Sequence, residues 1–525
     1  SDIKMKNYIK YLPFLALGII SCEPELDNPV DKVGFYTNGD TDFSNYVALG
    51  NSLTAGYADG ALYLTGQENS YPNIMAQQFA KVQETQMFNQ PLVLDNTGGL
   101  LLAGTQITSN RRVLAVGADG NPSPQIYTGM QPTTDITNIL TGPFNNMGVP
   151  GAKSFHLITP GYGNISGVPV GTANPYFVRF ASSSSTTVLA DAVAQNPTFF
   201  SVFIGNNDIL SFATSGGVGV DQTGNFDPST YGSNDITDPQ VFASAYSTIV
   251  NAMVGTGADG ALVNLPDVTS IPYFTTIPNN ALVLDAATAA NLTGFFQAVA
   301  GIFAQGAIQQ GLDPATAQGL AAQYAIKFNA GPNRFLIDVP VSQTNPLGFR
   351  QMTSEELLVL TINRGALAQG YGSVVLTPEV MQVLGILQTG GQPTAEQAQL
   401  VLGAVSGIDD KDALDKSELT AIATAQASYN ATIKALAQAN GLAFVDAKSV
   451  LAQVANGGVS YDGGNLTSTF VTGGAFSLDG VHPTPRGYAL VANTIIDAIN
   501  STYNSTVPKV NIGSYGTITL SNDVQ

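Results

Sequence analysis

Residues 46–57 read YVALGNSLTAGY, and the fold turns on how this stretch is understood. Its first four residues are an uncharged apolar run that reads as a short strand. Gly50-Asn51-Ser52 then breaks the run, and helical spacing resumes in SYPNIMAQQFAKV (70–82). A strand, a turn and a helix in succession form half of a βαβ unit. In that turn Ser52 stands at the carboxyl edge of the sheet, where open α/β folds place their ligands. Two uses are open to it there. Its hydroxyl could cap the helix, or act as a nucleophile above a helix N-terminus whose N–H groups favour an oxyanion. Taken alone, the stretch favours the cap.

Working outward, PTFFSVFIGNND (197–208) and GALVNLPDVTSIPYF (260–274) supply two more apolar strands, and LAFVDA (442–447) a further one. The last follows DKSELTAIATAQASYNATIKALAQANG (415–441), a helix that opens on Asp415 and Glu418 at capping-box spacing and closes at Gly441. Strands alternating with helices define an α/β fold with a parallel sheet. Between 281 and 429 the texture becomes Ala-rich and helical, without a fixed period. Helix starts are read at Thr353 (TSEE), Thr377 (TPEV, with Pro378 at the first helical position) and Thr394 (TAEQ). This region is a mainly helical insertion. Residues 60–145 read as loops around one end of the sheet, and 501–525 as a tail whose last residues, VNIGSYGTITLSNDVQ, alternate like a strand.

A chain of 525 residues with 44% hydrophobic and 11% charged residues is globular rather than disordered, and too long for one minimal core. The net charge of −19 repels a phosphate backbone, so nucleic acid is not a partner. Residues 1–21 read as a leader: Met5, Lys6 and Lys10 make a basic start, and Tyr11–Ile20 is too short an apolar run to span a bilayer. Residues 1–4 have no reading of their own. The leader ends in IISC (19–22), which resembles a bacterial lipobox with Cys22 as the lipidated residue. Cys22 is the one cysteine, so an internal disulfide and a cysteine zinc site are excluded. Residues 22–43 read as an acidic, Pro-containing tether. Losing 1–21 removes three lysines and one aspartate, so the mature chain would carry −21. Anchoring would then come from acyl chains, not from attraction to anionic lipid.

Four separated blocks offer chemistry: GNSLTAG (50–56), NMGVPGAKS (146–154), FIGNNDIL (203–210) and SLDGVHPTPRGY (477–488). His482 is one of two histidines and follows Asp479 by three residues. A carboxylate that close could orient the imidazole while its other nitrogen takes a serine proton. The alternative is a loop histidine without a role. Asn207, just past a buried strand, could donate its amide to an oxyanion, and Gly151 could offer a backbone N–H where a side chain would obstruct. Each is individually also an ordinary turn residue. His156, the other histidine, reads as packed or solvated, and DDKDALDKSE (409–418) as a solvated loop and helix cap, since it lacks calcium-loop spacing. No Gly-x-Ser-x-Gly elbow occurs, which disfavours the α/β-hydrolase arrangement.

Together and in this order, the four blocks resemble the SGNH (GDSL-type) hydrolase family over roughly 44–280 and 430–500, with 281–429 outside the resemblance. The resemblance implies a three-layer α/β/α sandwich of flavodoxin-like type and ester hydrolysis through an acyl-serine, without cofactor or metal. It makes Ser52 the nucleophile, His482 the general base and Asp479 its orienting carboxylate. The N–H groups of Ser52 and Gly151 and the Asn207 side chain become the oxyanion hole, and Asp208 is structural. One residue departs from the family pattern: Asn51 stands where the family has Asp. The second block also offers Gly148 in place of Gly151. The expectation is a serine esterase or lipase acting on an ester with an apolar acyl part. It would be extracytoplasmic and lipid-anchored through Cys22 to a bacterial outer membrane. Two other readings stand beside it. One is an accessory or binding lipoprotein that partners an outer-membrane assembly and keeps only vestigial catalysis. The other is a carbohydrate acetyl esterase, which would need a small, open, polar pocket.

Overall fold

The computed structural model describes residues 35–524. The leader, Cys22 and the first part of the tether lie outside the described residues. The central sheet has five parallel strands: β1 (Tyr46–Gly50), β2 (Asn146–Gly148), β3 (Phe199–Phe203), β4 (Asp259–Val263) and β5 (Ala443–Val445), in the order 2-1-3-4-5. Every residue of β1 and β3 is buried. Register lines up the strand ends: Gly50 lies opposite both Gly148 and Phe203. The loops that leave β1, β2 and β3 therefore emerge side by side from one edge.

Nine helices are labelled in chain order: α1 (Ser52–Ala55), α2 (Tyr71–Phe79), α3 (Val188–Val193), α4 (Asn207–Thr214), α5 (Pro239–Val254), α6 (Ala286–Gln309), α7 (Lys416–Asn440), α8 (Ala447–Ala455) and α9 (Pro485–Tyr503). Helices α2 and α9 pack together on one face of the sheet, and α3, α5 and α7 on the other. Alternation along β3 lets one strand serve both layers, because successive side chains point to opposite faces. Phe199 meets Phe79 and Tyr503 edge-on at 5.6 and 5.9 Å. On the far side Phe242 stacks on Tyr429 at 4.1 Å. Burying each such ring contributes roughly 1.5–3 kcal/mol.

Several expected elements take a different form. The segment expected as tether is docked over its last residues: the Asp40 N–H donates to the Tyr503 carbonyl, and Phe43 is fully buried on Phe79. The inserted region divides in two. Its outer part, around Phe295, Phe296 and Tyr324, has a core of its own, while Ile337, Met352, Leu358 and Leu414 join the main core. Four small antiparallel ladders run through it, so it is not purely helical. Helix α6 is the one described helix long and apolar enough to cross a membrane, and its buried face packs in the outer core. The expected boundary at 429 falls inside α7, which is continuous and packs on the sheet.

Thr377 and Thr394 cap helices as read, and Asp415 with Glu418 forms the capping box of α7. TSEE at 353–356 starts no helix. The Glu356 carboxylate instead accepts from the Thr353 N–H and binds Arg350, and a short strand, Leu357–Leu358, follows. Nor is the acidic run wholly solvated, because Glu418 is half-buried. Burial foremost, with the Asp415 and Asp410 carboxylates beside it, pushes its carboxyl up to about 7. The tail forms one isolated bridge, Leu114 to Leu520, rather than a strand.

Candidate active site

Gly50 ends β1 and α1 begins two residues later. Asn51 is the cap of that helix: its Oδ1 accepts from the Leu53 N–H at 3.0 Å. Ser52 is thereby released from capping. Its Oγ lies 2.8 Å from His482 Nε2, and the opposite ring nitrogen, Nδ1, lies 2.8 Å from Asp479 Oδ2. Ser52 is 6% exposed.

The Asp479 carboxylate is saturated with donors. Oδ1 accepts from the N–H groups of Val481 and His482 at 2.8 Å and from the Ser477 hydroxyl at 3.1 Å. Oδ2 accepts from the Gly60 N–H at 2.9 Å besides the His482 ring. Burial by itself would raise this carboxyl. The His482 charge and the ring and backbone hydrogen bonds outweigh burial and hold it down at about 2. The side chain is therefore a fixed anion that aligns the imidazole.

Blocks two and three meet beside Ser52. Asn207 Nδ2 donates one hydrogen to the Ala152 carbonyl at 2.9 Å, which leaves its second hydrogen for a ligand. Gly151, next to Ala152, sits at φ +82° in a tight turn, where a hypothetical Cβ would meet Asn174 Nδ2 at 3.8 Å without a clash. Its N–H has no hydrogen-bond acceptor among the described residues. Gly148 serves another purpose, since a Cβ there would come within 2.4 Å of the Ala55 nitrogen. The choice between the two glycines is therefore geometric: Gly148 lets α1 pack on β2, and Gly151 has the unused N–H. The Ser52 N–H opens a helix and has no intrahelical acceptor. Asp208 is fully buried and accepts from the Ser154 N–H and hydroxyl at 2.8 and 2.6 Å, so it ties the two loops together away from the reacting groups.

Several contributors were not readable from the sequence. The Tyr57 ring packs on His482 at 4.7 Å and donates its hydroxyl to the Gly60 carbonyl. Beneath the 477–479 loop, Asp59 pairs with Arg111 at 2.8 Å, both side chains 3% exposed. Asp59 also accepts from the Tyr63 hydroxyl and the Leu478 N–H, and the Arg111 guanidinium lies 3.6 Å over the Tyr63 ring. The one available hint was a charged pair, Arg111-Arg112, in a chain poor in charge. His156 is packed: it stacks on Tyr162 at 4.6 Å and its Nδ1 accepts from the Lys153 N–H. Burial, helped by the Lys153 charge, holds it at about 3, so it is neutral at physiological pH. Among the described residues no group of three or more His, Cys, Asp or Glu side chains could hold a metal ion. Comparison with family models, with curated proteins and with solved structures gave no match to this chain.

Proposed function

We propose that the chain is a serine ester hydrolase of the SGNH type, working through an acyl-serine and anchored to a bacterial outer membrane by lipid on Cys22. The observation that carries the catalytic reading is the unbroken relay Asp479–His482–Ser52, with both links at 2.8 Å. In the first step His482 Nε2 takes the Ser52 proton as Oγ bonds to the ester carbonyl carbon. The carbonyl oxygen becomes an anion facing the N–H groups of Ser52 and Gly151 and the spare Asn207 hydrogen. The intermediate collapses as His482 gives that proton to the departing alcohol, leaving an acyl-serine. Water, deprotonated by His482, then attacks the acyl carbon, and a carboxylic acid leaves with Ser52 restored. Asp479 stabilises the imidazolium in both halves.

The wall beside Ser52 is dominated by Val, Leu, Ile and Phe side chains, which supports an apolar acyl part over a glycan acetate. Anchor and location rest on the leader and lipobox alone. The test is hydrolysis of p-nitrophenyl butyrate by wild type and Ser52→Ala. The variant should lose at least about a thousandfold in kcat with an unchanged melting temperature. Full activity in the variant would refute the assignment. A folded wild type that fails to react with a fluorophosphonate at Ser52 would favour the accessory-subunit reading instead.

A further inference from the structure

A cavity of about 130 Å³ opens beside Ser52, Asn207 and His482 and continues between α8 and α9. Helix α8 turns Val450, Leu451 and Val454 into it, and α9 turns Val491, Thr494 and Ile495. Both sets follow helical spacing, so each is one continuous face. The Thr494 hydroxyl is spent on the Leu490 carbonyl at 2.8 Å, which leaves its methyl group for the cavity. Asp267, also in the wall, has its carboxylate turned onto the Thr269 N–H and hydroxyl. The remaining polar wall residues belong to the Ser52 end, apart from Thr494.

The direction of the cavity follows from the topology. Helix α9 begins three residues after His482, and its last residue, Tyr503, donates its hydroxyl to the carbonyl of Gly260 at the start of β4. It therefore runs from the carboxyl edge of the sheet to the amino edge. Helix α8 follows β5 directly and descends the same way. Val454, Thr494 and Ile495 are accordingly the far end, away from Ser52. Gly487, also in the wall, marks the near end on α9. From Gly487 to Ile495 the helix rises about 12 Å. An extended chain of ~1.5 Å bonds advances about 1.3 Å per carbon, so this length matches about eight to ten carbons.

We propose that this cavity is the acyl site: it takes an unbranched saturated chain of about eight to ten carbons, with its carbonyl at Ser52 and its methyl end against Val454, Thr494 and Ile495. The proposal rests on the esterase reading of the same site. An acyl chain fits better than a sugar because the cavity is continuous with the nucleophile and its deep wall offers nothing polar for a sugar to bind.

The experiment is a panel of p-nitrophenyl esters from acetate to palmitate, run on wild type, Thr494→Phe and Val454→Ala. Wild type should give kcat/KM at least tenfold higher for octanoate or decanoate than for acetate, and decline again by palmitate. Thr494→Phe, which fills the far end, should lower the decanoate-to-acetate ratio at least tenfold. Val454→Ala, which deepens it, should move the optimum to a longer chain. A wild-type optimum at acetate, or the same profile in all three proteins, would overturn the proposal. If wild type hydrolyses no ester and Ser52 takes no fluorophosphonate, the esterase reading fails, and decanoate titration into Ser52→Ala decides the cavity separately. Binding that Thr494→Phe abolishes would uphold an acyl site, and no binding would reject it.

Discussion

Asp479 shows how much one side chain settles. Replacing it by Asn puts an NH₂ where Oδ2 receives the Gly60 N–H and the His482 ring. The imidazole must then turn its proton to Nε2, where it can no longer accept from Ser52. Asp479→Asn should lower kcat by about 10³–10⁴, measured on a short ester. Stability should respond with a defined sign. The native carboxyl titrates at about 2, below its ordinary 3.8, so its contribution is complete above about pH 4 and is lost as pH falls towards 2. That contribution is on the order of 2 kcal/mol. The gap in urea midpoint between wild type and Asp479→Asn should be widest above pH 4 and narrow on acidification to pH 2. At this scale the sequence was half legible. The proximity of Asp479 to His482 follows from a three-residue spacing, but of the donors that pin the carboxylate only Ser477, Val481 and His482 are neighbours, and the Gly60 N–H comes from 419 residues away. Asn51 was legible as a turn residue, yet its division of labour with Ser52 required backbone geometry, because which residue caps depends on where helical dihedrals begin.

Among the elements, the N-terminus of α7 carries a measurable consequence. Glu418 completes the capping box through the Asp415 N–H at 2.7 Å while half-buried beside Asp410. Its carboxyl, raised to about 7 from 4.5, binds a proton in the native state that the unfolded chain releases. Stability therefore falls as pH rises from about 4.5 to 7, and the loss persists above 7. Glu418→Gln keeps the capping acceptor and supplies a permanent donor towards Asp410. It should raise the melting temperature at pH 8 and leave it nearly unchanged at pH 4.5, as read by calorimetry. The same scale shows what sequence could not give. Long uniform runs such as β3 and α7 are legible because burial on both faces, or a cap at each end, leaves a pattern. β2 has three residues and pairs, among the described residues, only with β1, too little for any period to register. TSEE carries a helix-start signature, but Arg350 and the neighbouring strand take Glu356 first.

For the whole molecule, net charge and chain order matter more than any contact. A surface of formal charge −19 should not adhere to anionic bilayers. A protein produced from residue 23 onward, without leader or lipid, should fail to sediment with phosphatidylglycerol vesicles both at low salt and at about 0.15 M, where screening has shortened the Debye length to about 8 Å. Sedimentation that weakens with salt would contradict this. The change in texture near 281 precedes the outer core, which begins at Leu284. The join at the far side was not legible, because α7 begins as insertion sequence and continues as a layer of the core. That layout also governs timing. Ser52 and His482 bond across 430 residues, and the Thr37 to Asp40 segment closes onto Tyr503 and Thr506. Local helices can form early, whereas contacts this distant in sequence are late and slow. On the proposed mechanism, a chain emerging from its N-terminus has no base for Ser52 until His482, 430 residues later, has arrived. In refolding of such an esterase, the return of turnover should trail the return of helical signal.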